Sequence, residues 1–384
     1  MAFTIRTSLI EVHVRIGNAW PAVGLVPPVL EPINEDTEMG NWVMDANSDE
    51  QMEWMLMPGA NGEVHVAVLT SNPVVEAANR LIRPTDIEFF LYTRENRDSP
   101  ERAYFRVSCK PDFKNFDPKR PTKFLIHGFG DGVDTSLMYP ILVDAYLDRE
   151  DVNVFLVDWA PLAVTPWYKA AVTNTQYVGT RAARLIDHLV NTTGADIADF
   201  HIIGFSLGSH VAGIIGQRVT AGRIRRITGL DPASVLYGSA PPENRLDGTD
   251  ADYVEVVHTS GGYLGYTDPI GQVDYFPNGG TWPQPGCYMD FVAVCSHRRA
   301  YYYFAEALKN GVGLKAVLCD SYEHFEAGNC TDERSLFLGS KEFPMEPDRA
   351  RGMYFLETNS DEPYARNDDE AIIVRSRFKK NKRL

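Results

Sequence analysis

The stretch Phe200-His201-Ile202-Ile203-Gly204-Phe205-Ser206-Leu207-Gly208, with the following Ser209-His210-Val211-Ala212-Gly213-Ile214-Ile215-Gly216, decides the fold of this chain. The apolar run before Gly204 reads as a strand, the glycine-flanked serine as a tight turn, and the remainder as a helix. A serine at such a turn is pushed out of the sheet edge, in a backbone geometry that only small neighbours allow. Gly204 and Gly208 let strand and helix pack closely around it. The helix N-terminus sets partial positive charge beside the serine oxygen. The bare pattern G-x-S-x-G arises by chance in many chains. Between a strand and a helix it marks an exposed, nucleophilic serine.

Outward from this turn, strands and helices alternate. Ile87–Tyr92, Ala103–Val107, Lys123–Ile126, Val152–Val157, Ile224–Leu230 and Asp252–His258 read as strands, and Val178–Leu189 and His297–Leu308 as helices. That order predicts an α/β-hydrolase fold, a mainly parallel sheet with helices on both faces. Ligands bind such sheets at the carboxyl ends of the strands. We divide the chain into an N-terminal extension (1–85, rich in Pro, Glu, Asp and Met), a hydrolase domain (86–357) and a C-terminal tail (358–384).

Hydrophobic residues make up 44% of the 384, enough for a sizeable core, and a net charge of −15 argues against nucleic acid as a partner. The tail opposes that charge with Arg375, Arg377, Lys379, Lys380, Lys382 and Arg383. We read it as a solvated, frayed end in preference to a contact with an anionic lipid surface or glycan. No apolar stretch is long enough to span a bilayer. The N-terminus makes a poor signal peptide, because Glu11, His13 and Arg15 interrupt the apolar part that follows Arg6. The five cysteines point instead to an oxidising compartment. Cys287 with Cys295, and Cys319 with Cys330, have spacings that suit short local disulfides and not a zinc site. Cys109 is left over as an expected buried thiol. Asn191-Thr192-Thr193 and Asn329-Cys330-Thr331 are glycosylation acceptor patterns. Secretion is the expectation, with a leader that this N-terminus does not carry.

A serine nucleophile needs a base, and the base needs an orienting carboxylate; in this fold they follow the serine in the order acid, then histidine. Asp231 is the first acidic residue after Ser206, and it closes the strand Ile224–Leu230 at the edge where the serine turn lies. Three histidines follow it. His258 ends a strand, and His297 begins a helix after a cysteine-clamped loop. Position alone leaves these two level, with His324 behind. His127, His201 and His210 read as hydrogen-bonded buried histidines. Two backbone N–H groups should face the developing oxyanion, one from Leu207 and one from the loop His127-Gly128-Phe129.

With these residues in place, the chain resembles the pancreatic-type lipase family, and most of all its insect members. The matching motifs are His127-Gly128-Phe129, Val157-Asp158-Trp159, Gly204 to His210, Gly229-Leu230-Asp231-Pro232-Ala233, Val257-His258-Thr259, Tyr275 to Gly280, Gln284-Pro285-Gly286-Cys287 and Cys295-Ser296-His297. They keep family order over roughly residues 86–357. The resemblance implies Ser206 as nucleophile, Asp231 as acid, His297 rather than His258 as base, and Phe129 and Leu207 as oxyanion donors. Three features depart from the vertebrate lipases. Too little chain follows Gly339 for their C-terminal β-sandwich, so no lipase protein cofactor is expected. The loop between Cys287 and Cys295, a lid in those enzymes, holds only Tyr288 to Val294. The segment Ser260 to Asp274 is short as well. Short loops resemble the phospholipase A1 branch. Arg245, Asp247 and Asp250 resemble part of a calcium-binding turn, but Pro242 stands where its Glu is expected. No cofactor is needed for the chemistry.

The expected function is therefore hydrolysis of glycerolipid acyl esters at a lipid–water interface through an acyl-enzyme on Ser206. A phospholipase A1 is the close rival, a non-catalytic lipid-binding or yolk-storage protein the rival of another class, and a peptidase a distant fourth. Tyr288, Met289, Phe291 and Val292 are expected either to touch the acyl chain or to pack the loop against the body.

Overall fold

The central strands are apolar on both faces, which demands cover from two sides. The computed structural model describes residues 2–6, 11–15, 53–59, 64–72, 75, 82–106, 111–311, 313–330, 334–340 and 350–366. Cys109 and the basic tail fall outside these.

Two antiparallel hairpins come first, β1 (Ala2–Arg6) with β2 (Glu11–Arg15) and β3 (Trp54–Pro58) with β4 (Val64–Val68). The main sheet contains β5 (Glu88–Tyr92), β6 (Glu101–Ala103), β7 (Thr122–Ile126), β8 (Asn153–Asp158), β9 (Phe200–Phe205), β10 (Arg226–Leu230), β11 (Tyr253–Val257), β12 (Val273–Pro277), β13 (Leu314–Leu318), β14 (Ser335–Leu338) and β15 (Gly352–Leu356). Their order is β14-β13-β15-β12-β11-β10-β9-β7-β8-β5-β6. The run from β15 to β8 is parallel, and antiparallel strands form both edges. This is the α/β-hydrolase fold. The strand expected at Ala103–Val107 pairs earlier, at Glu101–Ala103.

Alternation along each strand splits the interior into two cores. Phe124, Ile126, Phe155, Val157 and Ile202 face one, which is covered by α2 (Tyr168–Thr193) and α3 (Leu207–Arg218). Leu125, Val154, Leu156, Ile203 and Phe205 face the other, covered by α1 (Met138–Arg149) and α4 (Val294–Asn310). Helices α2 and α3 touch at Gly179, where a Cβ would come within 2.6 Å of Ile214. A short helix, α5 (Tyr322–Glu326), packs Tyr322 and Phe325 beside Phe355 and is tied down by the Cys319–Cys330 disulfide.

Register decides where the chemistry can sit. Ile126 pairs with Gly204, Leu230 with Phe205, and Val257 with Leu230. The loops after β7, β9, β10 and β11 therefore leave the sheet side by side, at one carboxyl edge.

Candidate active site

Ser206 stands at the turn between β9 and α3 with φ 56° and ψ −123°, a strained conformation for a residue with a side chain. Two glycines make the turn possible. A Cβ on Gly204 would overlap the Gly208 carbonyl oxygen, and one on Gly208 would overlap the Ile126 carbonyl oxygen. The Ser206 N–H donates to the Leu230 carbonyl at 3.0 Å, which ties the turn to the end of the neighbouring strand.

Asp231 is fully buried at the end of β10. Its Oδ1 accepts the N–H groups of Thr259 (2.8 Å) and Ser260 (3.1 Å), and its Oδ2 accepts His297 Nδ1 (2.6 Å) and the Ser260 hydroxyl. Four donors on two oxygens offset the cost of burying a carboxylate. His297 lies in the first turn of α4, 4% exposed, with its ring 4.5 Å from that of Phe205. Because Nδ1 donates to Asp231, Nε2 is the nitrogen left to accept a proton. A cleft opens over Ser206 and His297, with Phe129, Tyr168, Val235 and Leu264 among its apolar walls.

The loop after β7 lies against the serine: a Cβ on Gly128 would sit 2.9 Å from Ser206 Cβ. His127 fixes that loop. Its Nε2 accepts the Trp159 N–H at 3.0 Å, so its Nδ1 donates to the Gly128 carbonyl at 2.8 Å. Gly130 N–H donates to Ala163 O at 2.8 Å. Phe129 is thus held beside the turn, and Leu207 opens α3 directly after the serine.

The other histidines are engaged elsewhere. His258 places Nδ1 3.0 Å from the Tyr266 carbonyl and Nε2 2.9 Å from Asp274, and it stacks on Phe276. His201 bonds Thr228 (2.7 Å). His210 donates to Ala233 O (2.7 Å) and accepts the Leu246 N–H (3.1 Å); burial pushes its pKa down to about 3. His324 is exposed on α5.

Cys287 and Cys295 form a disulfide eight residues apart, at the entry to α4. The loop they close behaves differently from both expectations. Tyr288, Met289 and Phe291 are 83%, 82% and 63% exposed, so they neither line the cleft nor pack on the body, and Val292 is half-buried. Seven residues held between two linked sulfurs are too short to fold back over the cleft. The loop has a role that sequence reasoning missed. Asp290 accepts the N–H groups of Cys295 (3.0 Å) and Ser296 (2.9 Å), so it caps the helix that carries His297. Its only sequence signal is an acidic residue shortly before a helix.

Arg245, Asp247 and Asp250 lie together in a turn beside α3, but they do not fit a calcium site. Asp250 accepts from Asp247 N–H (2.8 Å) and Gln217 Nε2 (3.0 Å). Asp247 accepts Thr249 N–H (3.0 Å) on one oxygen and meets Arg245 at 3.6 Å with the other. The guanidinium of Arg245, beside Asp247 Oδ2, supplies the positive charge of the turn and opposes a cation there. Among the described residues, Cys287, Asp290 and Cys295 also bring ligand-type atoms together, but the two sulfurs are bonded to each other.

A parallel sheet with a serine elbow and an Asp–His pair at its carboxyl edge defines an α/β-hydrolase. The Lipase family model matches residues 55–364, and the chain belongs to that family. It is 38% identical over 251 residues to lipase member H-A of Xenopus laevis, covering 64% of this chain and 54% of that protein. It is 35% identical to pancreatic triacylglycerol lipase of Ictidomys tridecemlineatus (64% and 57% covered) and 37% identical to inactive pancreatic lipase-related protein 1 of Mus musculus (63% and 55%). The chain thus spans about half the length of the curated relatives it matches.

Proposed function

We propose that this chain is a secreted serine carboxylester hydrolase that cleaves acyl esters of glycerolipids. The observation that carries this reading is the 2.6 Å hydrogen bond from His297 to the buried Asp231, beneath a cleft that Ser206 and His297 share. Family membership alone would not suffice, since one relative bears the name of an inactive protein. In the proposed reaction Ser206 Oγ attacks the ester carbonyl while His297 Nε2 takes its proton, and Asp231 steadies the imidazolium. The N–H groups of Phe129 and Leu207 receive the oxyanion. His297 returns the proton to the leaving alcohol, and water then repeats the sequence to free the fatty acid.

An interfacial substrate is supported by the rim. Among the described residues the exposed large apolar side chains are Leu137, Val164, Leu236, Tyr288, Met289 and Phe291. They follow β7, β8 and β10 or precede α4, loops that also carry or adjoin the site. Of these, Leu137 lines the cleft itself. Two disulfides fit an oxidising, extracellular setting, and no helix among the described residues is long and apolar enough to cross a membrane. We assign the hydrolase body to residues 86–357, with the β3–β4 hairpin of the preceding extension packed into its core and a tail following it.

A phospholipase A1 is the second reading, favoured by the seven-residue loop that leaves the cleft uncovered. Purified protein, with Ser206→Ala as control, is assayed on triacylglycerol emulsion and on phosphatidylcholine labelled at the first acyl position. Serine-dependent release from the emulsion supports a lipase, and release from phosphatidylcholine alone moves the assignment to phospholipase A1. Silence on both, with no labelling of Ser206 by a fluorophosphonate, overturns the enzyme reading in favour of a lipid-carrying or storage protein.

A further inference from the structure

The hairpin β3–β4 precedes the main sheet, yet it borders the cleft. A two-stranded hairpin is marginally stable in water on its own, and this one is latched to the body at three distant points. Val68 N–H donates to Pro166 O at 2.7 Å, Arg298 Nη2 to Gly59 O at 2.7 Å, and the Tyr263 hydroxyl to Leu56 O at 3.4 Å. Arg298 directly follows His297, so one latch ties the hairpin to the helix that carries the proposed base. Met55 and Met57 share a face of β3 by alternation. Met57 is 4% exposed and Ala67 fully buried, both within the core that contains Phe129 and Tyr168.

Met57, Pro58 and Gly59 line the same cleft as Ser206 and His297. They present hydrocarbon, a thioether and backbone, with no charge to greet a headgroup. Phe129, Tyr168, Val235 and Leu264 also line the cleft, as do the charged Asp131 and Arg298, the latter donating to Gly59 O. The Cys287–Cys295 loop turns Tyr288, Met289 and Phe291 to solvent. A methionine at a wall is an adaptable apolar surface that follows the shape of what it meets.

We propose that the β3–β4 hairpin is a wall of the acyl site and that Met57 sets the length of acyl chain the cleft admits. This rests on the ester-hydrolase reading above. The test is kcat/KM on p-nitrophenyl butyrate, octanoate and palmitate for wild type, Met57→Trp, Met57→Ala and Met57→Leu. Filling the wall in Met57→Trp lowers the palmitate-to-butyrate ratio at least about tenfold with butyrate turnover retained, the scale at which apolar pockets discriminate chain size. Met57→Ala raises the ratio, and Met57→Leu keeps it. Wild-type ratios in both Met57→Trp and Met57→Ala overturn the proposal. If Met57→Trp loses butyrate turnover and fluorophosphonate labelling together, it has not folded, and Met57→Ala against Met57→Leu decides by the same criterion. Wild-type protein that hydrolyses none of the three esters overturns the ester-hydrolase reading itself, and the wall with it.

Discussion

Asp231 collects four hydrogen bonds, three of them from Thr259 and Ser260. An amide at this position turns an N–H₂ toward donors and cannot hold the His297 tautomer. We expect Asp231→Asn to lower kcat about 10⁴-fold while the fold persists, read from steady-state kinetics beside a circular dichroism spectrum. His258 is a different case. Its partner Asp274 also accepts from Ile270 and Gly271 N–H groups, all in a site that excludes water. His258→Phe would preserve the stack on Phe276 but remove the Asp274 and Tyr266 contacts. Asp274 keeps its two backbone donors, so the Tyr266 carbonyl is the buried acceptor left unpaired, and a loss of about 1–3 kcal/mol is expected in urea unfolding. Unchanged stability would show that water enters there. The histidine pair explains what sequence could resolve. Ser206 and Asp231 are readable because each follows its own apolar strand. His258 and His297 look alike in sequence, and what separates them is a carboxylate brought near by folding: Asp274 for one, Asp231 for the other.

Among the elements, α4 depends on a residue outside itself. Ala293, at its start, offers no side-chain cap, and Asp290 supplies the acceptors instead. Replacing a capping acceptor by alanine costs about 1 kcal/mol. Here the first turn holds His297, so Asp290→Ala is expected to lower kcat more than it raises KM; equal turnover in the variant would show that Asp231 alone positions the ring. Helix α2 shows why some boundaries were unreadable. Its expected span was Val178–Leu189, but it begins at Tyr168. The missed half buries Asn174 and Thr175, which break the apolar period yet are satisfied inside, Asn174 by the Leu162 carbonyl and Thr175 by Val172 O and the Tyr237 hydroxyl. The hairpin β3–β4 was unreadable for the opposite reason. Its strands carry apolar residues, but the surfaces that bury them belong to residues far along the chain.

For the molecule as a whole, buried titratable groups set how stability responds to pH. Burial pushes the Asp250 carboxyl up to about 7. Between the ordinary carboxylate range and pH 7 the folded state then binds more protons than the unfolded chain. Stability from this group is greatest below about pH 4 and declines as pH rises toward 7. His201 and His210, held neutral by burial, act in the opposite sense and cost stability as pH falls below about 6.5. The difference between wild type and Asp250→Asn isolates the carboxyl. Relative to the variant, the wild type should lose stability from pH 4 to 7.5 in thermal melts, and a constant difference would contradict the burial argument. The sheet and the edge that carries the proposed site were legible in the sequence because strand, turn and helix are local patterns repeated in order. The lining of the cleft was not, since it is assembled from residues widely separated along the chain. The latch between Gly59 and Arg298 spans 239 positions. At about 5–20 residues per second, roughly 12–50 s of synthesis separate the two ends. Of the hairpin's three latches, to Pro166, Tyr263 and Arg298, the one to Arg298 is therefore the last to be synthesised. We expect stalled chains that end before Arg298 to be cut by protease within the hairpin, and completed chains to resist. Arrival of Arg298 would then be the moment when the newborn chain stops depending on chaperones for that segment.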